Sequence, residues 1–165
     1  MKVTTKKGDT GTTTLFNQAG IPKHDPLIML IGENDEVQSF LGLLKTTLTE
    51  PVIQAYLTDI QRHIYQMMGE LSHGPEVPSN LLTQWLTELE AREEVLLTRT
   101  PIGNKFIIPG ENKTEAWCQV ARTAVRRLER NYSQYSVNHP EVKRFIPYIN
   151  RLSDYLFILG RSYTV

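Results

Sequence analysis

The chain has 165 residues, and its 18 basic side chains balance 18 acidic ones, leaving no net charge at neutral pH. At 40% hydrophobic and 22% charged it has the composition of one soluble globular domain, able to bury about two-thirds of its extended surface. This balance excludes a global basic field for nucleic acid or an anionic membrane; no apolar run approaches the roughly 20 residues of a membrane span; Met1-Lys2-Val3-Thr4 lacks the apolar core of a signal peptide; and the lone Cys118 can form no internal disulfide, so a reducing cytoplasm is the expected compartment.

Residues 1–25 are rich in Thr, Gly and Lys and carry no helical period, whereas 26–165 read as a helical bundle, the two making one domain overall. The first helix, over about 27–48, carries Leu27, Leu30, Ile31, Val37, Leu41 and Leu44, with Gly32 interrupting the pattern. From Pro51 to Leu71 an apolar stripe recurs at three- and four-residue steps through Ile53, Tyr56, Leu57, Ile60, Ile64, Met67, Met68 and Leu71. Pro51 suits a first helical position, and Gly74-Pro75 ends the run. A third helix opens after Pro78 with Ser79 or Asn80 as cap and buries Leu82, Trp85, Leu86, Leu89 and Leu96. Residues 98–113 form a loop. A fourth helix starts near Thr114, with Trp117, Val120, Ala121, Ala124, Leu128 and Tyr132 inward, and a fifth runs from Pro140 with a kink expected at Pro147. Strand signals are nearly absent; Val3–Thr5 and Phe106–Ile108 are short candidates for extended chain. The fold expected is all-α: an antiparallel bundle of five helices, each about 30 Å long, behind an irregular N-terminal segment.

Several clusters suit chemistry. In Thr5-Lys6-Lys7-Gly8-Asp9-Thr10-Gly11-Thr12-Thr13-Thr14 two glycines let successive N–H groups turn inward as an anion nest, with lysine charge and threonine hydroxyls around it. The same residues read equally as a Gly-Asp-Thr-Gly turn. Arg122, Arg126 and Arg130, four residues apart, line one helix face over about 12 Å. Such a row binds phosphate bidentately or forms a solvated face with weak ion pairs. Asn150, Ser153 and Asp154 share a face of the last helix, as a ligand contact or an interhelical hydrogen-bond cluster. Asp35 in Asn34-Asp35-Glu36 either complements a helix start or meets an arginine, and Phe106 ahead of Pro109-Gly110 has the usual position of a core plug. His24, His63, His73 and His139 lack metal-ligand spacing, so no metal site made of protein side chains is expected. No nucleophile–His pair is visible.

In order along nearly the whole chain, these segments resemble the ATP-dependent corrinoid adenosyltransferases of the propanediol-utilisation type. The resemblance rests on Thr5–Thr12 followed by Leu15-Phe16; on Pro22-Lys23 with Asp25; on Gly32 with Asp35-Glu36; on Phe106-Ile107-Ile108-Pro109-Gly110; on Ala121-Arg122 with Arg126–Arg130; and on Tyr148–Asp154 with Leu156-Phe157. It implies a homotrimer with sites between subunits. The reaction transfers the 5′-deoxyadenosyl group of ATP to the cobalt of reduced cobalamin and releases triphosphate, with Mg²⁺ accompanying the nucleotide. It implies ATP contacts from Thr5, Lys6, Lys7, Gly8, Asp9, Thr10, Gly11, Thr12, Thr13, Thr14, Lys23, Arg126, Arg127, Leu128, Glu129, Arg130 and Asn150. Arg126 and Arg130 would stabilise the departing triphosphate. Arg122 would pair with Asp35 across the subunit boundary. Phe106 would crowd the lower cobalt face, keeping an axial ligand away, so that Phe106 and Asp35 serve the cobalamin side. Implied partners are a flavoprotein reductase and an adenosylcobalamin-dependent enzyme.

The chain departs from the family pattern at Lys7 and Thr10, at Glu33-Asn34 and Val37-Gln38, and at Glu111-Asn112-Lys113. Two other readings stay open on sequence: a catalytically weak relative that carries or senses ATP or adenosylcobalamin, and a helical module whose arginine row binds an acidic partner.

Overall fold

The computed structural model describes residues 4–103 and 106–164. Two short strands, β1 (Thr12–Thr14) and β2 (Ala19–Pro22), precede α1 (Pro26–Lys45), α2 (Pro51–Leu71), α3 (Ser79–Leu97), α4 (Lys113–Tyr135), a 3₁₀ segment Pro140–Phe145, and α5 (Ile146–Ser162). The strands pair antiparallel with Thr13 opposite Ile21. Only Ile21 of the hairpin is buried, which is why no apolar alternation marked it in the sequence. Of the extended candidates, Val3 lies outside the described residues, and Thr4, Thr5 and Phe106–Ile108 form no strand.

Local chemistry sets the helix ends. Asp25 caps α1, its Oδ1 accepting the Leu27 N–H at 2.8 Å, and Pro26 follows at the first helical positions. Gly32 does not interrupt α1: it sits on the exposed face, where a glycine costs only about 1 kcal/mol of helix propensity. The Thr46 and Thr47 hydroxyls return to the Leu43 and Leu44 carbonyls at 2.7 and 2.8 Å. α2 ends through the left-handed His73 (φ 62°) and through Gly74, whose N–H reaches the Gly69 carbonyl at 2.8 Å. A Cβ at Gly74 would stand 2.7 Å from that carbonyl oxygen, so only glycine fits. At α3 neither Ser79 nor Asn80 caps; Pro78 holds the cap position without a side-chain bond. Asn112 caps α4 by accepting the Glu115 N–H at 2.9 Å. The kink expected at Pro147 is instead a break: Pro140–Phe145 winds as 3₁₀ helix, and Pro147 lies in the first turn of α5, where its missing N–H is harmless.

α4 packs between α1 and α5, α2 lies on α1, and α3 lies on α5. Successive helices alternate in direction. Lys45 meets Thr58, Asn34 meets Tyr132, and Glu129 meets Asn150, each pair joining antiparallel neighbours. α3 and α5 run side by side in the same direction, Trp85 lying by Tyr148 and Glu90 by Arg151. The ring closes through aromatics: His63 of α2 stacks on Trp85 of α3 at 4.1 Å, and Tyr56 meets Tyr155 of α5 edge-on at 5.6 Å. Full burial of side chains such as Leu41, Leu57, Ile60 and Leu159 contributes roughly 2 kcal/mol each. Of the expected core, Val120 is exposed and Leu86 and Trp117 are only half-buried, because their positions lie at the edges of the inward faces.

Candidate active site

The N-terminal loop is built around unusual backbone. Lys6 adopts a left-handed φ of 61°, and its carbonyl accepts the Asp9 N–H; the Gly8 carbonyl accepts from Gly11. Gly11, at φ 82°, passes the chain into β1, and its carbonyl accepts the Lys23 N–H at 2.9 Å. Lys23 therefore lies over the loop: a Cβ at Gly8 would come within 3.1 Å of its Nζ. The Thr10 and Thr12 hydroxyls stand 3.4 Å apart on the same turn. The hairpin is tied to the end of α2 by Phe16 N–H to Ser72 O and by the Asn17 amide to His73 O. Thr5, Lys6, Lys7, Asp9 and Thr10 are exposed, and Gly8, Thr12 and Thr13 are half-buried.

α4 presents the arginine row. Arg126 and Arg130 are exposed, and Arg130 Nη1 donates to the Arg126 carbonyl at 3.0 Å. Arg122 is half-buried, its Nε donating to Gln119 Oε1 at 2.7 Å and its guanidinium facing the Phe157 ring at 6.0 Å. Burial first, and the Arg126 charge second, push the Arg122 pKa down. Glu129 accepts from the Asn150 amide at 2.9 Å, joining two predicted residues across α4 and α5. Arg127 is already occupied: it pairs with Glu36 and stands 3.8 Å from Glu33, so it braces α4 against α1. Asn131 adds a bond to Glu33. Leu128 faces the core at 1% exposure, so its side chain packs inside the bundle.

Two clefts adjoin this row. One, of about 370 Å³, is lined by Arg122, Arg126, Ser153, Asp154 and Phe157. The other, of about 300 Å³, is lined by Phe106, Ile107, Pro109 and Gln119, and shares Arg122 and Phe157 as its wall. Phe106 is 97% exposed, so it is no core plug. The larger cleft between Phe16 and Tyr65, about 460 Å³, contains none of the predicted residues except the flanking Phe16. Asp154 is held by Arg151 Nη1 at 2.8 Å, with Glu90 also on Arg151. Among the described residues no group of three His, Cys, Asp or Glu side chains is placed to hold a metal ion.

The structure does not bring all the predicted residues together. No hydrogen bond or ion pair among the described residues joins Thr5–Thr14 or Lys23 to α4. Asp35 is exposed on α1 and among the described residues forms no ion pair; its carbonyl accepts from Ser39 Oγ at 3.1 Å. It shares an exposed face with Met29, Gly32, Ser39 and Leu43. Gln119 and Glu115, inward and polar on α4, escaped the sequence reading, although Asn112-x-x-Glu115 has the spacing of a helix-start pair.

The structure is thus a five-helix bundle with a glycine- and threonine-rich N-terminal loop and an arginine row beside an aromatic-edged cleft. The profile of the family described as cobalamin adenosyltransferase matches residues 3–163, and the chain belongs to that family. It is 34% identical over 171 residues to the cobalamin adenosyltransferase of Cupriavidus metallidurans, covering 97% of this chain and 86% of that protein. It is 31% identical over 166 residues to the corrinoid adenosyltransferase PduO of Citrobacter freundii, covering 98% of this chain and spanning half the length of that relative. A variant of the PduO-type ATP:corrinoid adenosyltransferase from Lactobacillus reuteri, complexed with cobalamin and ATP, superposes with a TM-score of 0.88 at 29% identity, over 98% of this chain and 93% of that one.

Proposed function

We propose that this chain transfers the 5′-deoxyadenosyl group of ATP to the cobalt of a reduced corrinoid. The observation that carries the reading is the exposed Arg126 on α4, which lines a cleft sharing Arg122 and Phe157 with the neighbouring cleft edged by Phe106. Family membership and the relatives named for this activity support it. Cobalt(I) is the nucleophile, so the protein needs no activated side chain; it supplies orientation and charge. The cobalt lone pair forms the Co–C5′ bond as the C5′–O bond breaks. That bonding pair leaves on triphosphate, and cobalt is formally oxidised by two electrons. Negative charge grows on the departing oxygen, where fixed donors lower the barrier. Lys6, Lys23, the Thr10 and Thr12 hydroxyls and the loop amides serve the phosphates from one side, and Arg126 and Arg130 from the other. Asn150, steadied by Glu129, contacts the nucleotide. Mg²⁺ enters with the triphosphate, and the oxygen donors of Asp9, Thr10 and Thr12 are of the hard type it takes.

Since no hydrogen bond or ion pair among the described residues joins the loop to the arginine row, the site is completed by a second copy in a homotrimer, with Asp35 of one subunit against Arg122 of the next. Phe106 crowds the lower cobalt face and disfavours an axial ligand, easing reduction of cobalt(II). A flavoprotein reductase then supplies the electron, an adenosylcobalamin-dependent enzyme takes the product, and the cytoplasm is the compartment. Anaerobic incubation with reduced cobalamin and Mg-ATP tests the reading. The absorbance spectrum should pass to that of adenosylcobalamin, with one triphosphate released per turnover. Tight nucleotide binding without product would make the chain a carrier or sensor instead.

A further inference from the structure

Glu115 carries a feature that helix capping alone does not explain. It is fully buried at the third position of α4, yet its Oε2 reaches past the cap residue to accept the Gly110 N–H at 2.7 Å. In an ordinary capping pair the glutamate returns to the cap residue's own N–H. Its Oε1 is buried with no hydrogen-bond partner, a desolvation cost not offset by the helix start alone. Gly110 itself takes φ +110°, a backbone state closed to other residues, so the chain turns sharply where Glu115 grips it. Two more ties meet at the same corner. Arg161 of α5 pairs with Glu111 at 2.8 Å, and the Asn112 amide donates to the Tyr163 carbonyl at 2.8 Å. Upstream, Phe106 is 97% and Ile108 80% exposed, so little apolar burial orients this segment. Its direction is set from the Gly110 end, by a charge-assisted hydrogen bond of roughly twice the strength of a neutral one.

We infer that Glu115 is a positioning residue for corrinoid use: by gripping the Gly110 N–H from a buried carboxylate it fixes the Phe106–Gly110 segment beside the cleft lined by Gln119, Arg122 and Phe157. The inference rests on the proposed role of Phe106 at the cobalt. It also gives a purpose to Glu111 and Asn112, which depart from the family pattern at this corner.

The test compares Glu115→Ala, Glu115→Gln and Phe106→Ala with the parent chain under anaerobic conditions, measuring kcat, KM for cobalamin and for ATP, and hydrogen exchange of peptides spanning residues 106–112. Glu115→Ala should raise the cobalamin KM or lower turnover at least tenfold and speed exchange over 106–112, with ATP KM within twofold. Glu115→Gln keeps an amide oxygen facing Gly110 and should recover most of both losses. If Phe106→Ala impairs cobalamin use while Glu115→Ala leaves it intact, the positioning role is overturned and the reading of Phe106 stands. If Phe106→Ala itself changes nothing, that reading falls and takes the inference with it. Should Glu115→Ala not fold, Glu115→Met replaces the carboxylate with an apolar side chain of similar length; an unchanged cobalamin KM and unchanged exchange over 106–112 there overturn the inference.

Discussion

Arg126 illustrates how one side chain acquires its task. Its neighbours are engaged: Arg122 by Gln119, Arg127 by Glu36, and Glu129 by Asn150. Arg126 extends from the exposed face of α4 into the edge of a cleft, and among the described residues no carboxylate within the chain pairs with it. A guanidinium kept this way is preorganised for an incoming polyanion. Arg126→Ala should raise the barrier by about 3 kcal/mol, a loss on the order of hundredfold in turnover. The anaerobic adenosylation rate at saturating ATP checks this, and near-parent turnover would remove Arg126 from the leaving-group role. The arginine spacing was visible in the sequence. That Arg127 is consumed by Glu33 and Glu36 was not, because those partners lie about ninety positions away on α1.

Among the helices, the α2–α3–α5 seam couples stability to pH. His63 of α2 is stacked on Trp85, with its Nδ1 2.8 Å from the Tyr148 hydroxyl. Burial pushes its pKa down to about 4, from an ordinary 6.5. The unfolded chain therefore binds the extra proton first, and stability is lost as pH falls from about 6.5 through 4. Glu93 of α3 behaves oppositely: burial raises its pKa to about 7 from 4.5, with Arg151 only partly opposing. Its folded form keeps the proton, so stability falls as pH rises from about 4.5 through 7. At fixed protein concentration, melting curves of the parent chain and Glu93→Gln should coincide near pH 4.5 and separate by pH 8, the variant melting higher. Parallel curves across that range would show that Glu93 is already ionised in the fold. The helices themselves were legible from three- and four-residue periods. The hairpin and the 3₁₀ segment were not: the first buries one residue, Ile21, and the second borrows an apolar pattern that Pro147 divides.

For the whole molecule, the exposed face of α1 is the decisive surface. Met29 and Leu43 stand 57% and 40% exposed there, flanking Gly32, Asp35 and Ser39. A face that is apolar at its ends and carries at its centre a carboxylate without an ion-pair partner among the described residues suits the proposed assembly of like chains around Asp35–Arg122 pairs. Sedimentation equilibrium should give three times the 18.9 kDa chain mass. Asp35→Arg should dissociate that assembly, and Asp35→Arg combined with Arg122→Asp should restore it. A parent chain that sediments as a monomer while remaining active would place the whole site in one copy.

Local rules sufficed for much of this protein. Apolar periods, caps and prolines determined the five helices, because those signals act within a few residues of themselves. The ordered motifs along the chain identified the family for the same reason, each being a short local pattern. The tertiary structure alone decided which polar side chains are left to act. Burial of Leu128, engagement of Arg127, exposure of Phe106 and the grip of Glu115 on Gly110 all depend on which helix lies opposite and which loop lies above. Those neighbours are distant in the chain, and no local pattern encodes them.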